Sequence, residues 1–261
     1  MLARLTAYRG FILSAVKRDF SMRYTRSLLG VGWALLQPLA MICVYTLVFS
    51  KIMTDRLPLG GSLVSYGLYL CAGVFAWGLH AEIVTRSSNM FLEYSALLKK
   101  VSFPQLCIPL IVTLGATLNF LIVLALLIFV LVILGKAPGI ALFIIAPVAL
   151  VQICFSMGVG LILGVMNVFF RDVAHLAALG LQLWFWLTPI VYTADLLPDA
   201  THKLFALNPM AILIGAWQNI LVFRTEFNWT PLAVVALASF CLLGVGIWLL
   251  RRLGSDMMDE L

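Results

Sequence analysis

The sequence predicts an all-α integral membrane protein, a single transmembrane domain over residues 1–261 with six membrane-crossing helices. Of the 261 residues, 63% are hydrophobic and 11% are charged, and the mean hydropathy is +1.09. Several uncharged runs reach the ~20 residues that a crossing helix needs. The charged residues, which sum to +6, lie at the ends of these runs. That pattern orients membrane helices and does not indicate nucleic-acid binding.

Residues 1–26 are predicted to form an amphipathic helix that lies in the membrane interface. Tyr8, Ile12 and Val16 recur at helical spacing on one apolar face, and Asp19 is the charged residue on that face. Arginine and lysine side chains occupy the other side. An apolar face opposite a basic face is typical of a helix that lies on a membrane without crossing it.

The crossing helices follow in order along the chain. The predicted spans are 27–50, 62–82, 105–135, 139–166, 173–194 and 229–250. In the fourth span Ser156, Gly160 and Gly164 lie at four-residue intervals, so another helix is predicted to approach closely there. Between the second and third spans, residues 86–103 predict an amphipathic cytoplasmic helix that ends before Pro104. Such a helix can seat in a groove of a soluble partner; the alternative is that it lies flat on the membrane.

The fifth span carries a run of aromatic residues. Trp184, Phe185 and Trp186 are consecutive, and Pro189 is predicted to kink or end the helix. A lipid anchor needs only one aromatic belt at the interface. We therefore interpret this stretch as the outer wall of a pathway, with ordinary lipid-facing and packing aromatics as the alternative.

Residues 204–223 are uncharged, but Asn208-Pro209 interrupts them. Basic residues are concentrated before the first span, after the second and fourth spans and at the C-terminus, so the positive-inside rule places both termini in the cytoplasm. An even number of crossings is then required. Residues 196–225 are therefore predicted to be a pair of short re-entrant helices on the outer face. The alternative, a seventh span, would place Arg251 and Arg252 outside.

Motifs for enzyme chemistry are missing from the sequence. Gly135-Lys136 lacks the upstream glycine and the following Ser or Thr of a phosphate-binding loop, so the chain is not expected to hydrolyse ATP. The histidines have no metal-binding spacing and are interpreted as interfacial polar residues; they are His80, His175 and His202. The chain is expected to bind no metal and no cofactor of its own.

Ordered motifs run along the chain. They are Arg23-Tyr24 with Ser27-Leu28-Leu29-Gly30, Trp33 and Pro38; Leu98–Pro104; Asn167–Val173; Thr188–Tyr192; and Asn208-Pro209. Together they resemble the membrane (permease) subunits of type-2 ABC exporters for polysaccharides, a family that exports O-antigen, capsule and teichoic-acid chains. The resemblance covers essentially the whole chain and is strongest to the O-antigen (lipopolysaccharide) branch.

The resemblance implies a homodimer that works with two copies of a cytoplasmic ABC ATPase, which binds ATP and Mg²⁺. It implies a multi-pass protein of the bacterial inner membrane, in contact with membrane lipid. The implied substrate is a polysaccharide attached to a polyprenyl-diphosphate lipid and exported to the outer side. The alternatives are a permease of the same fold for another lipid or small molecule, and a membrane-embedded transferase. A transferase would need acidic groups facing a cavity, and Glu82 is the only acidic residue near a span interior.

Three groups of site residues follow from the motifs and the resemblance. The coupling group, which is expected to dock on the ATPase, is Asn89, Glu93, Tyr94, Leu97, Leu98, Lys99, Lys100, Phe103 and Pro104. The entrance group, which is expected to receive the lipid diphosphate, is Arg23, Tyr24, Arg26, Ser27, Asn167, Arg171 and Asp172. The lining and gate group is Tyr45, Trp77, Trp184, Phe185, Trp186, Pro189, Tyr192, Asn208 and Pro209.

Each group has a physical basis and an alternative. Guanidinium forks match phosphate oxygens, but the entrance arginines could instead contact lipid headgroups, and Arg171-Asp172 could be a helix-end anchor. Flat aromatic faces would let a sugar chain slide past, because conduction requires binding that is weak enough to release.

Overall fold

The computed structural model describes residues 7–24, 30–45, 63–100, 103–137, 139–192, 205, 207–223 and 227–261. Every regular element among them is helical, as the sequence predicts. In chain order the α-helices are α1 (Arg9–Tyr24), α2 (Trp33–Val44), α3 (Leu63–Glu93), α4 (Ser95–Lys100), α5 (Cys107–Ile133), α6 (Leu142–Phe169), α7 (Asp172–Trp186), α8 (Pro209–Gln218), α9 (Trp229–Leu253) and α10 (Asp256–Glu260). Short 3-10 helices cover Gly30–Gly32 and Gly139–Ala141, and a π-helix, Asn219–Phe223, follows α8.

Four helices in the described part of the chain are long and apolar enough to cross a membrane. They are α3, α5, α6 and α9, with 31, 27, 28 and 25 residues. At about 1.5 Å per residue, each exceeds the ~30 Å hydrocarbon core of a bilayer. Helices α2, α7 and α8 are apolar but shorter. The count of six crossings therefore stays a prediction.

Two boundaries differ from those expected. The second span, expected to end at residue 82, continues as one helix to Glu93, so the helix expected over 86–103 is reduced to α4 after a turn at Tyr94. The extension stays helical because its apolar side packs against the bundle, where Met90 and Phe91 are at most 1% exposed. The fifth span, expected to reach residue 194, ends as a helix at Trp186, in keeping with the missing N–H of Pro189.

Helix α1 packs on protein through the face that was expected to enter the membrane interface. Ile12, Ala15 and Val16 are buried in one cluster with Cys107 and Ile111 of α5. The helical spacing predicted for this segment is confirmed between Arg9 and Tyr24. Helix α5 therefore covers part of the apolar face of α1.

Helix α6 is the centre of the bundle and packs against both α3 and α9. A Cβ added at Gly160 would lie 2.6 Å from the Cβ of Ser87 on α3, and one at Gly164 would overlap the Ser87 carbonyl oxygen. The close helix approach predicted from the spacing of these glycines is confirmed, because only a missing side chain leaves room for the α3 backbone.

Two ends of the bundle serve as landmarks. The "α4 end" holds α4, Pro104 and the last turns of α9, since Leu98, Leu250 and Met257 share one buried cluster. The "Tyr66 end" holds the beginning of α3, where Tyr66, Tyr69 and Leu70 form another cluster.

Candidate functional site

The coupling group combines buried and exposed side chains at the α4 end. Leu98 is buried, Tyr94 and Leu97 are partly buried, and Glu93, Lys99 and Lys100 are exposed. The Phe103 ring packs against that of Phe11, with centroids 5.4 Å apart and planes inclined by 47°, and the Pro104 carbonyl accepts the Cys107 N–H at 2.8 Å. The charged side chains are therefore available to a partner, while the apolar ones fix α4 to the bundle.

Three members of the entrance group lie at the turn between α6 and α7, and they differ in exposure. Asn167 is buried, its Oδ1 accepts the Ala174 N–H at 3.0 Å, and its Nδ2 reaches Asn89 Oδ1 at 3.5 Å. Asn167 thereby connects the turn to α3 through Asn89, a member of the coupling group. Arg171 and Asp172 are exposed. Arg26, Ser27 and the side chain of Tyr24 lie outside the described residues.

Arg23 belongs to a group of four charges that the sequence did not predict as a unit. This four-charge cluster comprises Asp19 and Arg23 of α1 and Glu82 and Arg86 of α3. Arg23 Nη2 lies 2.6 Å from Glu82 Oε1, and Arg86 Nη2 lies 2.8 Å from Asp19 Oδ1. Burial raises the pKa of the nearby Tyr94 phenol, and the negative charge of Asp19 raises it further. The net charge of the cluster is zero.

A cavity of about 440 Å³ opens beside this cluster, between α2, α3 and α5. Arg23, Glu82 and Asn119 line its α4 end, and Gln37 adds an amide from α2. Apolar side chains, Phe75 among them, line the remainder. A cavity with a polar end and apolar walls suits an amphiphile better than a fully polar solute.

The aromatic residues of the lining group do not share one environment. Trp77 is buried, with its ring centroid 6.1 Å from that of Trp184 and 5.7 Å from that of Phe185. Trp184 and Phe185 are partly buried, whereas Trp186 is 62% exposed. The three consecutive aromatics therefore point both into the bundle and away from it.

Three further members of the lining and gate group lie at the Tyr66 end. Tyr45 packs against the cluster of Tyr66 and Tyr69. The Tyr69 hydroxyl donates to the carbonyls of Pro189 at 3.4 Å and Tyr192 at 3.2 Å. These contacts hold the irregular segment after α7 against the beginning of α3.

Asn208 joins the end of α7 to the beginning of α8. Its Oδ1 caps α8 by accepting the Met210 N–H at 3.0 Å, and it also accepts the Trp184 Nε1–H at 3.0 Å. Its Nδ2 donates to Thr188 Oγ1 at 3.1 Å and to the Leu187 carbonyl at 3.3 Å. Pro209 occupies the first turn, where its missing N–H is harmless. Three members of the lining and gate group are thus brought together: Asn208, Pro209 and Trp184.

His80 lies in the protein interior, so the prediction that it is an interfacial polar residue is wrong. It is 0% exposed, its Nδ1 lies 2.8 Å from Ser156 Oγ, and its ring packs 5.3 Å from that of Trp184. Gln152 is also buried; it donates to the Ala76 carbonyl and accepts the Trp217 Nε1–H at 2.6 Å. Polar groups within uncharged runs are the signal that could have identified both.

These features define a helical membrane protein with exposed charges at one end and a hydrogen-bonded junction between α7 and α8. The family model for the ABC-2 type transporter matches residues 11–222. The chain belongs to this family of transmembrane permeases.

Curated relatives extend the match over nearly the whole chain. The O-antigen export system permease protein RfbA of Klebsiella pneumoniae is 29% identical over 237 residues, 90% of this chain and 89% of the relative. The protein of that name from Myxococcus xanthus is 29% identical over 245 residues, 93% of this chain and 92% of the relative.

Proposed function

We propose that this chain is the membrane subunit of an ATP-driven exporter that moves a polysaccharide of the O-antigen type, attached to a polyprenyl diphosphate, across the bacterial inner membrane. The observation that carries the proposal is the alignment with O-antigen export permeases over about 90% of both chains. An alignment of that extent includes the α4 region, the charged α6–α7 turn and the Asn208 junction together. The similarity therefore extends over the whole membrane subunit and is not confined to one shared module.

A separate ATPase subunit supplies the energy in this proposal. A homodimer of the chain binds two ATPase copies, which hold ATP and Mg²⁺, through the coupling group. Exposed Glu93, Lys99 and Lys100 offer charges for register, and buried Leu98 fixes α4 to the bundle. Because α3 is a single helix of 31 residues, a push on α4 is delivered over the full depth of the membrane.

The contacts of α8 support a re-entrant gate. Tyr192, before the return, and Phe223, after α8, both contact Tyr69 at the Tyr66 end. Between them Asn208 reaches as deep as Trp184, which packs on His80. A segment that comes in and goes out at the same end does not change the parity of crossings. Helix α9 then returns to the α4 end, where the Gly254 carbonyl accepts a hydrogen bond from Gln105, which supports the proposal that both termini are cytoplasmic.

The route of the glycan follows from the same landmarks. The lipid diphosphate is received near Arg23, whose contacts to Glu82 and Asp19 use Nη2 and Nε and leave other N–H donors of the guanidinium fork. The sugar chain then passes aromatic faces, with Trp184, Phe185, Trp186, Trp77, Tyr45 and Tyr192 as lining residues. Flat faces give shallow binding, which transport of a long polymer requires.

Deleting the gene for this chain tests the proposal. Cells without it should accumulate polyprenyl-linked glycan on the cytoplasmic side and lose surface glycan, and a plasmid copy should reverse both changes. The control is a strain with a hydrolysis-deficient ATPase subunit, which should show the same accumulation. A deletion strain with normal surface glycan would contradict the substrate assignment. ATP hydrolysis by the purified chain alone would contradict the assignment of that activity to a separate ATPase subunit.

A further inference from the structure

The four-charge cluster ties α1 to α3 by interhelical ion pairs. Arg86 Nη2 donates to both Asp19 oxygens at 2.8 Å, and Arg23 Nη2 lies 2.6 Å from Glu82 Oε1. Asn119 of α5 donates to the other Glu82 oxygen at 3.0 Å. The four side chains are 16% to 26% exposed, so water screens these pairs only partly.

Helix α5 leaves space for this cluster. A Cβ added at Gly115 would lie 2.9 Å from Asp19 Oδ2 and 3.2 Å from Arg86 Nη1. The apolar face of α1 packs on α5 through Ile12, Ala15 and Val16, whereas the link from α1 to α3 is made by charges. Charged contacts of this kind are weak evidence for stability, because removing charges from water is unfavourable. They are well suited to a contact that opens and closes.

Each charge also has a second partner on its own helix. Arg23 Nε lies 3.7 Å from Asp19 Oδ2 within α1, and Arg86 Nη1 lies 3.8 Å from Glu82 Oε1 within α3, both at i,i+4 spacing. If α1 moves away from α3, the interhelical pairs lengthen and these intrahelical pairs can shorten. No charge is then left without a partner, so the barrier to release is low.

We propose that Asp19, Arg23, Glu82 and Arg86 form a releasable clasp between α1 and α3, which positions α1 in response to the ATPase that the proposed function places on α4. Arg86 and Glu82 precede the end of α3 at Glu93 by seven and eleven residues, about 10 and 16 Å along a rigid helix. A displacement of α4 therefore reaches the clasp directly. Since Arg23 and Glu82 also line the α4 end of the cavity, release widens that end.

Charge-reversal variants separate attraction from release. In Asp19→Arg with Arg86→Asp, both interhelical pairs remain attractive, but each helix now carries two like charges and loses its intrahelical pair. Reversing all four charges (Asp19→Arg, Arg23→Asp, Glu82→Arg and Arg86→Glu) preserves both kinds of pair. The control is Lys17→Asp, an equal charge change at an exposed position of α1.

Export per ATP hydrolysed is measured in cells and in the reconstituted complex with the ATPase. We expect Asp19→Arg, Arg86→Asp and their combination to lower this ratio about tenfold, a coupling of ~1.4 kcal/mol. Lys17→Asp should not change it. Because the fourfold reversal also replaces Arg23 of the entrance group, it is judged by the distance between α1 and α3, which should still change when ATP is added. Wild-type export by the double variant would overturn the need for release, and a folded fourfold reversal in which the distance between α1 and α3 does not change with ATP would overturn the clasp.

A second readout does not depend on the glycan. Spin labels at exposed Leu13 of α1 and Thr85 of α3, in a background without native cysteines, report the distance between the helices with and without ATP. The wild-type complex should show two distances and the double variant one. An unchanged wild-type distance would overturn the clasp. A complex that exports no glycan while this distance changes would overturn the proposed substrate and leave the clasp supported.

Discussion

Asn208 shows how much one amide side chain can determine in this bundle. Its oxygen accepts hydrogen bonds from the first turn of α8 and from Trp184, while its nitrogen donates to the residues that follow α7. An amide has the two donors and the acceptor oxygen needed for both tasks. Aspartate would retain the cap and the acceptor but would lose both donors.

Replacing Asn208 by alanine should therefore destabilise the protein more than loss of an ordinary helix cap. The cap is worth about 1 kcal/mol, and leaving the Trp184 N–H without its acceptor adds ~1–3 kcal/mol. The matched control is Asn228→Ala, which removes a cap on α9 made to the Thr230 N–H alone. The midpoint of thermal unfolding in detergent measures both variants. Equal shifts would show that the bridge from α7 to α8 adds nothing.

At the scale of elements, α6 is held to its neighbours by backbone proximity. Gly160 and Gly164 contact Ser87 on α3, and Gly158 lies where a Cβ would be 2.8 Å from the Leu243 backbone nitrogen of α9. In lipid no hydrophobic effect drives helices together, so such close packing supplies much of their attraction. One face of α6 thus sets the spacing of α3, which leads into α4 and the coupling group.

Replacing Gly164 by alanine should force α3 and α6 apart. The new methyl group would overlap the Ser87 carbonyl oxygen, which is backbone and cannot rotate aside. We expect a loss of ~1–3 kcal/mol from overpacking, seen as a lower thermal unfolding midpoint. Gly180→Ala is the control, because nothing lies within 4 Å of a Cβ at that position of α7. A Gly164 variant as stable as the Gly180 variant would refute the close contact.

The sequence pattern predicts some of these elements better than others. Uncharged runs and the four-residue spacing of Gly160 and Gly164 predict the long helices and their packing, because both follow from local composition. The sequence pattern does not predict that α3 continues to Glu93. Polar residues such as Arg86 show where a helix leaves the membrane, but they do not show where the helix ends. The four-charge cluster was missed as well: Asp19 on an apolar face was visible, but its partner lies 67 residues away.

At the scale of the whole molecule, α3 connects the Tyr66 end of the bundle to the α4 end. Its first turns hold the segment after α7 through Tyr66 and Tyr69, its middle holds Trp184 through His80, and its last turns carry the four-charge cluster and α4. A rigid helix with contacts at every depth can couple two ends without a dedicated relay. The re-entrant placement proposed for α8 matters here, because it would put a gate beside the same helix that the proposed ATPase would move.

The topology of the chain decides between that arrangement and a seventh crossing. Single cysteines at Ala137, Thr230, Lys99 and Ser255, all exposed, can be labelled with a membrane-impermeant maleimide in a background without native cysteines. With a re-entrant α8, residues 137 and 230 should react in intact spheroplasts, and residues 99 and 255 only after lysis. A crossing α8 would reverse α9 and exchange the behaviour of residues 230 and 255. Lysed cells, in which all four variants should react, control for local accessibility. Because the Tyr192 and Phe223 contacts both lie on Tyr69, we expect the first pattern.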